Sequence, residues 1–294
     1  MKESLEYKIF NTVAIIVVTF FAILCLVPFV VTLSGSLTSD VDLYKGISLF
    51  PRNPTLDSYR QIFENSSALI RAYGLTIVLT VVGTLLSGFL VSSAAYVLYR
   101  KDFKYRSQFA FFFYFPRLFS GGMVAGYILN CSLGLRNTFM VLLLASVMPV
   151  FQIIMVRSFL TSNVPQSMVE AAKMDGANDW QIYCMVIIPS ATTILATIAF
   201  MTALSYWNGW QTASIYISNE KLYPLQYFLQ KIFQDAALRE KLMEEGSAFA
   251  DKIKTVGESF KMAMTMVTVG PVILFYPFFQ RFFVSGATVG AVKE

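Results

Sequence analysis

No charged side chain interrupts the chain between Ile9 and Leu33. As a helix, that stretch exceeds the roughly 20 residues needed to cross the hydrocarbon core of a bilayer. Inside lipid a backbone must satisfy its own hydrogen bonds, which a helix does within one segment. Several further apolar runs reach a similar length, so the chain is expected to be an all-α polytopic membrane protein. Composition agrees. Of 294 residues, 56% are hydrophobic, 14% are charged and 27 are Phe, with a mean hydropathy of +0.59. A soluble domain of this size does not combine so little charge with so much Phe. The first run is far longer than a signal-peptide core and no small-x-small cleavage site closes it, so it is expected to stay as an anchor.

Absent residue types narrow the chemistry. The sequence has no His, which removes a His base, a His metal ligand and a Ser-His-Asp triad. Cys25, Cys131 and Cys184 form no Cys-x-x-Cys pair, and neither a disulfide nor a zinc site is expected. No Gly-Lys dipeptide occurs, so the chain lacks the phosphate-binding loop GxxxxGK[ST]. The chain is therefore not expected to be an enzyme, nor to bind a cofactor or metal. The net charge of +5 is spread over loops, which fits the inner leaflet and not nucleic acid.

Six transmembrane helices are expected, at about Ile9–Leu33, Ala72–Tyr99, Phe109–Leu129, Thr138–Leu160, Val186–Trp207 and Ser259–Phe283. Pro28 should kink the first near its end, and Pro149 lies inside the fourth. Gly74, Gly83, Gly88, Ser92, Ser93, Ala94 and Ala95 give the second the small residues that let helices approach closely. Arg100–Arg106 (RKDFKYR) is short and basic, where the positive-inside rule is most reliable, so it is placed in the cytoplasm. Both termini then lie inside, while Ser34–Arg71 and Asn208–Gly257 lie outside. The first of these holds a short helix near Asp57–Phe63, the second an amphipathic helix over Asp235–Gly246. The expected division is residues 1–70 as anchor helix and external loop, then residues 71–294 as a five-helix core. That core carries a cytoplasmic loop (163–189), an external loop (208–257) and a short cytoplasmic tail (284–294).

The loop Asn163–Pro189 is patterned beyond the needs of a connector. Pro165 suits a first helical turn, Ser167 and Glu170 have capping-box spacing, and Met168, Ala171 and Ala172 share a helical face. Gly176 should stop that helix in the left-handed region. Asn178 and Gln181 then read as a second cap, and Trp180, Tyr183, Cys184 and Ile187 recur at i, i+3, i+4, i+7. Two short angled helices with few charges make a knob that another protein can grip.

Glu170-Ala171-Ala172, Asp175-Gly176-Ala177 and Pro189 resemble the EAA signature of permease subunits of type I ABC importers. SGGM (Ser120–Met123), LGLRNT (Leu133–Thr138), RSFL (Arg157–Leu160), YWN (Tyr206–Asn208), LYPLQ (Leu222–Gln226) and YPFFQRFFVSGATVGAVK (Tyr276–Lys293) extend the likeness over nearly the whole chain. They are most similar to carbohydrate permeases in the maltose-G-like position, in the subgroup linked to complex oligosaccharides and polysaccharides. Val124-Ala125-Gly126 stands where that subgroup often has Ile-Pro-Thr.

The resemblance implies a type I ABC importer permease fold in a bacterial cytoplasmic (inner) membrane, importing an oligosaccharide. Implied partners are a second homologous permease subunit, two ATPase subunits that hold ATP and Mg, and an extracellular or periplasmic solute-binding protein. The seven signature residues would couple to the ATPases, and the tail Gly286–Lys293 would reach toward them. Glu170 reads alternatively as a solvent-facing cap. Tyr206, Trp207, Asn208 and Trp210, with Tyr127 and Asn130, either line a saccharide path or belong to an interfacial aromatic belt. Arg117, a charge well inside a span, is a functional candidate for an anionic sugar, a neighbouring carboxylate or a wet vestibule. Lys261 is expected to snorkel. Rival readings are a permease for an amino acid or peptide, and an ion-driven transporter. The latter calls for carboxylates within the spans, and there are few.

Overall fold

A computed structural model describes residues 5–46, 48–64, 66–245 and 256–291, and every regular element among them is helical. Contacts divide the chain into two compact units, Met1–Ser67 with Leu229–Gly270, and Ala68–Phe228 with Pro271–Glu294.

The first unit holds α1 (Leu5–Ser36), α2 (Asp40–Leu43) and α3 (Asp57–Glu64), most of α14 (Leu225–Glu244) and the first turns of α15 (Glu258–Ala291). The apolar window of α1 has 0% of its residues buried, the state of a helix whose solvent is lipid. Pro28 does not end it, and the helix runs on to Ser36. Residues 229–270 group with the N-terminal segment through specific bonds. The Ser58 and Ser259 hydroxyls lie 2.7 Å apart in a buried pair. The Ser259 amide donates to Asp40 Oδ1 at 2.8 Å, and Gly35 lies under Met262, where a Cβ would come within 2.0 Å of Sδ. The amphipathic helix expected at Asp235–Gly246 starts earlier, at Leu225, because Leu225, Tyr227 and Leu229 are buried. Gly246 lies outside the described residues.

The second unit runs through α4 (Ser66–Tyr99), α5 (Arg106–Leu118), α6 (Gly122–Ser132), α7 (Phe139–Leu144), α8 (Val150–Asn163), α9 (Gln166–Met174) and α10 (Asp179–Ile182). A π-helical turn (Tyr183–Ile187), α11 (Ile188–Ser190), α12 (Thr192–Trp207), α13 (Gln211–Tyr216) and a 3₁₀ turn (Glu220–Leu222) follow. Val91, Ala95, Leu98, Ile153, Val156, Leu160, Ile182, Ile187 and Ile198 form one fully buried core. A second core gathers Leu79, Val141–Leu143, Tyr206, Ala213 and Tyr227. The small residues of α4 are therefore buried toward its C-terminal end, while Gly74 and Gly88 face open space.

Three helices among the described residues are long and apolar enough to cross a membrane: Glu6–Ser36, Ser67–Tyr99 and Glu258–Pro277. A fourth arises if Asp179–Ser190 and Thr192–Trp207, bent by 83°, count as one. The expected third and fourth spans are each broken. Residues 119–121 separate α5 from α6, which opens on Gly122 at φ +80°. Residues 145–149 separate α7 from α8, ending at Pro149, which is extended (φ −72°, ψ 115°) and has no N–H to donate. The final helix continues to Ala291 where residues 284–294 were expected to form a short tail. Val292 and Lys293 lie outside the described residues.

Gly83 is a tight contact. A Cβ there would sit 2.3 Å from Tyr206 Cε2, and the buried ring is held by its hydroxyl, which donates to the Leu143 carbonyl at 2.6 Å. Gly83→Ala is expected to cost about 1–3 kcal/mol through overpacking. A lowered thermal unfolding midpoint in detergent, with a smaller drop in a Tyr206→Leu background, checks it.

Candidate functional site

The loop after α8 folds as a helix–turn–helix knob. Pro165 is the N-cap of α9 (φ −63°, ψ 141°), a conformation its ring favours, and no side chain caps that helix. The capping box expected from Ser167 and Glu170 is absent because Ser167 is already the second helical residue. At the other end Gly176 takes φ +81°. The Gly176 amide donates to the Lys173 carbonyl and the Ala177 amide to that of Ala172, both at 3.0 Å. That pair of bonds is a Schellman turn, which satisfies carbonyls the helix end would otherwise leave open. No atom lies within 4 Å of a Cβ added at Gly176, so conformation and not space demands glycine. The second helix opens with a complete Asn178–Gln181 capping box, both bonds 2.9 Å.

The knob's two faces differ. Val169, Ile182, Tyr183 and Ile187 are buried, with Ala172 and Ala177 packed partly against the same core. Glu170, Ala171, Asp175 and Pro189 are exposed. Met168 is also exposed, because Val169 takes the inward position on α9. Likewise Trp180 (61% exposed) and Cys184 leave the expected stripe. The cause is local. Pro189 has no N–H for the carbonyl four residues back, and its ring crowds that position. The helix widens instead into a π turn, in which the Ile188 amide bonds the Tyr183 carbonyl. Below the knob, Tyr183 Oη meets Ser92 Oγ at 2.6 Å, and Tyr99 Oη donates to the Val164 carbonyl at 2.8 Å.

Away from the knob, the break between α7 and α8 opens a cavity of about 290 Å³, lined by residues 144–149 with Gln152, Thr202 and Ser205. The Thr202 hydroxyl donates to Gln152 Oε1 at 3.0 Å, and both residues are buried. Apolar walls with a few fixed polar groups are the usual make-up of a small-ligand site. Fifty positions separate these two partners in the chain, and no spacing rule pairs them, so sequence reading missed them.

The aromatic cluster at the end of α12 divides. Tyr206 and Trp207 are buried among the helices, Trp207 edge-on to Tyr73 at 6.3 Å. Asn208 and Trp210 are exposed. Tyr127 stacks on Tyr216 at 5.6 Å, and Asn130 Nδ2 donates to Tyr216 Oη at 3.1 Å. These two aromatics and one amide brace α6 against α13. Arg117 is exposed in the last turn of α5. Among the described residues no group of three His, Cys, Asp or Glu side chains is placed to hold a metal ion.

A family model described as binding-protein-dependent transport system inner membrane component matches residues 7–289. The chain is 34% identical over 275 residues to the polygalacturonan/rhamnogalacturonan transport system permease protein YtcP of Bacillus subtilis (strain 168), covering 93% of this chain and 94% of that one. It is 28% identical over 294 residues to protein LplC of the same organism, covering 100% and 98%. A crystal structure of a bacterial ABC transporter involved in the import of the acidic polysaccharide alginate contains a chain with the same fold. The TM-score is 0.82 at 29% identity, over 96% of this chain and 99% of that one.

Gly176→Pro removes the amide of the Schellman turn and forbids positive φ. Trypsin is expected to cut after Lys173 several-fold faster than in the parent, while Gly176→Asn, which tolerates that region, stays close to the parent.

Proposed function

The chain belongs to the family of binding-protein-dependent transport system inner membrane components, and from that premise we propose that it is the membrane-spanning subunit of an ATP-driven importer of oligosaccharides or polysaccharide fragments. Two neighbours carry names that concern such cargo, one a transport system for polygalacturonan/rhamnogalacturonan and one the import of the acidic polysaccharide alginate. In this reading the chain performs no chemistry. It pairs with a second, homologous permease subunit, sits on two ATPase subunits that bind ATP and Mg, and receives sugar from an extracellular solute-binding protein.

The observation that carries the reading is the knob. Its outer face presents Glu170, Ala171, Asp175 and Trp180, and its inner face is fixed to the core by Val169, Ile182 and Tyr183. A rigid handle joined directly to α8 and, through the π turn, to α12 passes displacement by an attached motor into helices that line the cavity. Glu170, Ala171, Ala172, Asp175, Gly176, Ala177 and Pro189 would form this coupling element. Coupling of this kind is a free energy shared between two sites that bias one two-state element. The broken helices support six crossings with both termini cytoplasmic, since irregular backbone at membrane depth is tolerated where it lines a cavity.

For the sugar, the cavity beside Gln152, Thr202 and Ser205 is the favoured contact. Asn208, Trp210 and Arg117 are exposed and so free to meet sugar elsewhere on its path, whereas Tyr206 and Trp207 are buried. Copurification decides the class, and an ATPase and a second permease in one complex are the expected result. In reconstituted vesicles with the cognate binding protein, Gln152→Leu and Ser205→Ala are expected to raise the KM for oligosaccharide roughly 2–10-fold, the worth of one neutral hydrogen bond. Hydrolysis without sugar should not change. Saturable uptake of amino acids or peptides, with none of oligosaccharides, would transfer the chain to the rival permease class.

A further inference from the structure

The basic loop after α4 does more than mark the cytoplasmic side. Arg100 donates to Asp102 in a two-pronged pair, Nε to Oδ1 and Nη2 to Oδ2, each at 2.6 Å. Its remaining Nη1 donates to Asp179 Oδ1 at 2.6 Å and to Tyr96 Oη at 2.8 Å. Asp102 Oδ2 also accepts from Lys173. Lys173 belongs to α9 and Asp179 to α10, so both helices of the knob, on either side of Gly176, are tied to one anchor at the end of α4. Backbone contacts run in parallel, since Tyr99 Oη holds the Val164 carbonyl.

An exposed ion pair alone contributes little, typically about 0–1 kcal/mol. This cluster differs in geometry. The Arg100 side chain is 12% exposed, the fork is bidentate, and two positive and two negative groups neutralise one another. The hydrogen bonds from Arg100 and then Lys173 hold the Asp102 carboxyl well below the ordinary carboxylate range, so the tie stays charged at any cellular pH.

We propose that Arg100 and Asp102 are positioning residues that make α4 a third lever of the coupling knob. Chain continuity already links the knob to α8 and α12. The ionic tie reinforces the Ser92–Tyr183 contact of α4 by fastening the end of that helix on both sides of the one glycine about which α9 and α10 would otherwise rotate. Motor-driven displacement of the knob then moves three membrane helices together. The inference rests on the importer reading above.

The test combines function and distance. In the assembled importer, Arg100→Gln and Asp102→Asn are expected to cut uptake and binding-protein-stimulated ATP hydrolysis roughly fivefold or more, with unstimulated hydrolysis unchanged. Asp102→Glu should retain most coupling. Lys173→Gln, which removes one partly exposed charge and leaves the Arg100 fork intact, gives an intermediate loss and keeps the test open if Arg100→Gln does not fold. Spin labels at Lys101→Cys and Met174→Cys, with Cys25, Cys131 and Cys184 replaced by Ser, report the separation directly in the full-length chain. A narrow distance distribution that broadens in Asp102→Asn is expected. An unbroadened distribution, or coupling within about twofold of the parent in every variant, overturns the tie. If the parent complex shows no nucleotide-dependent uptake, the importer reading fails, while the label distances still decide whether the tie exists.

Discussion

A helix that stops leaves carbonyls without partners, and where apolar side chains surround the break no water is at hand to take them. This chain interrupts its helices repeatedly, and the side chains that answer those interruptions organise the second unit. Tyr206 donates to the Leu143 carbonyl at the end of α7, and Tyr99 to Val164 beyond α8. Arg106 donates to Leu98 near the end of α4. The Schellman bonds at Gly176 close α9. Asn137, in the left-handed region at φ 57°, accepts from the Ser218 and Asn219 amides and so fixes the segment after α13. Each device acts twice, since the group that satisfies a carbonyl or an amide also sets the position of the neighbouring segment.

Cavity and knob both follow from that arrangement. The α7–α8 break would collapse or unravel without Tyr206, whose ring fits against Gly83 because glycine has no Cβ. Held open, it leaves room beside Gln152 and Thr202. The knob depends on two irregularities in series, the Gly176 turn and the π turn imposed by Pro189. In the helix between them Trp180 and Cys184 face outward and Tyr183 inward, onto Ser92.

Charge is placed with comparable economy. In the sequence, Arg100–Arg106 is a topological label, positive residues close to the membrane. In the fold, Arg100 directs four of its five N–H groups to Tyr96, Asp102 and Asp179. Asp102, a lone acidic residue in a basic run, reads as a neutralising exception until Lys173 is seen beside it. The same short loop thus also attaches the knob.

Local chemistry alone fixed the class of fold, the Gly176 turn and the Asn178 cap, because apolar length, positive φ and a three-residue capping interval are properties of contiguous residues. Tertiary structure decided the rest. It chose where the third and fourth apolar runs break, which side of α10 faces inward, and that Gln152 meets Thr202 and Arg100 meets Asp179. Those outcomes depend on partners 50 and 79 positions apart. A hydrogen bond or ion pair across such a distance leaves no periodicity in the chain, since it exists only after packing has brought the helices together.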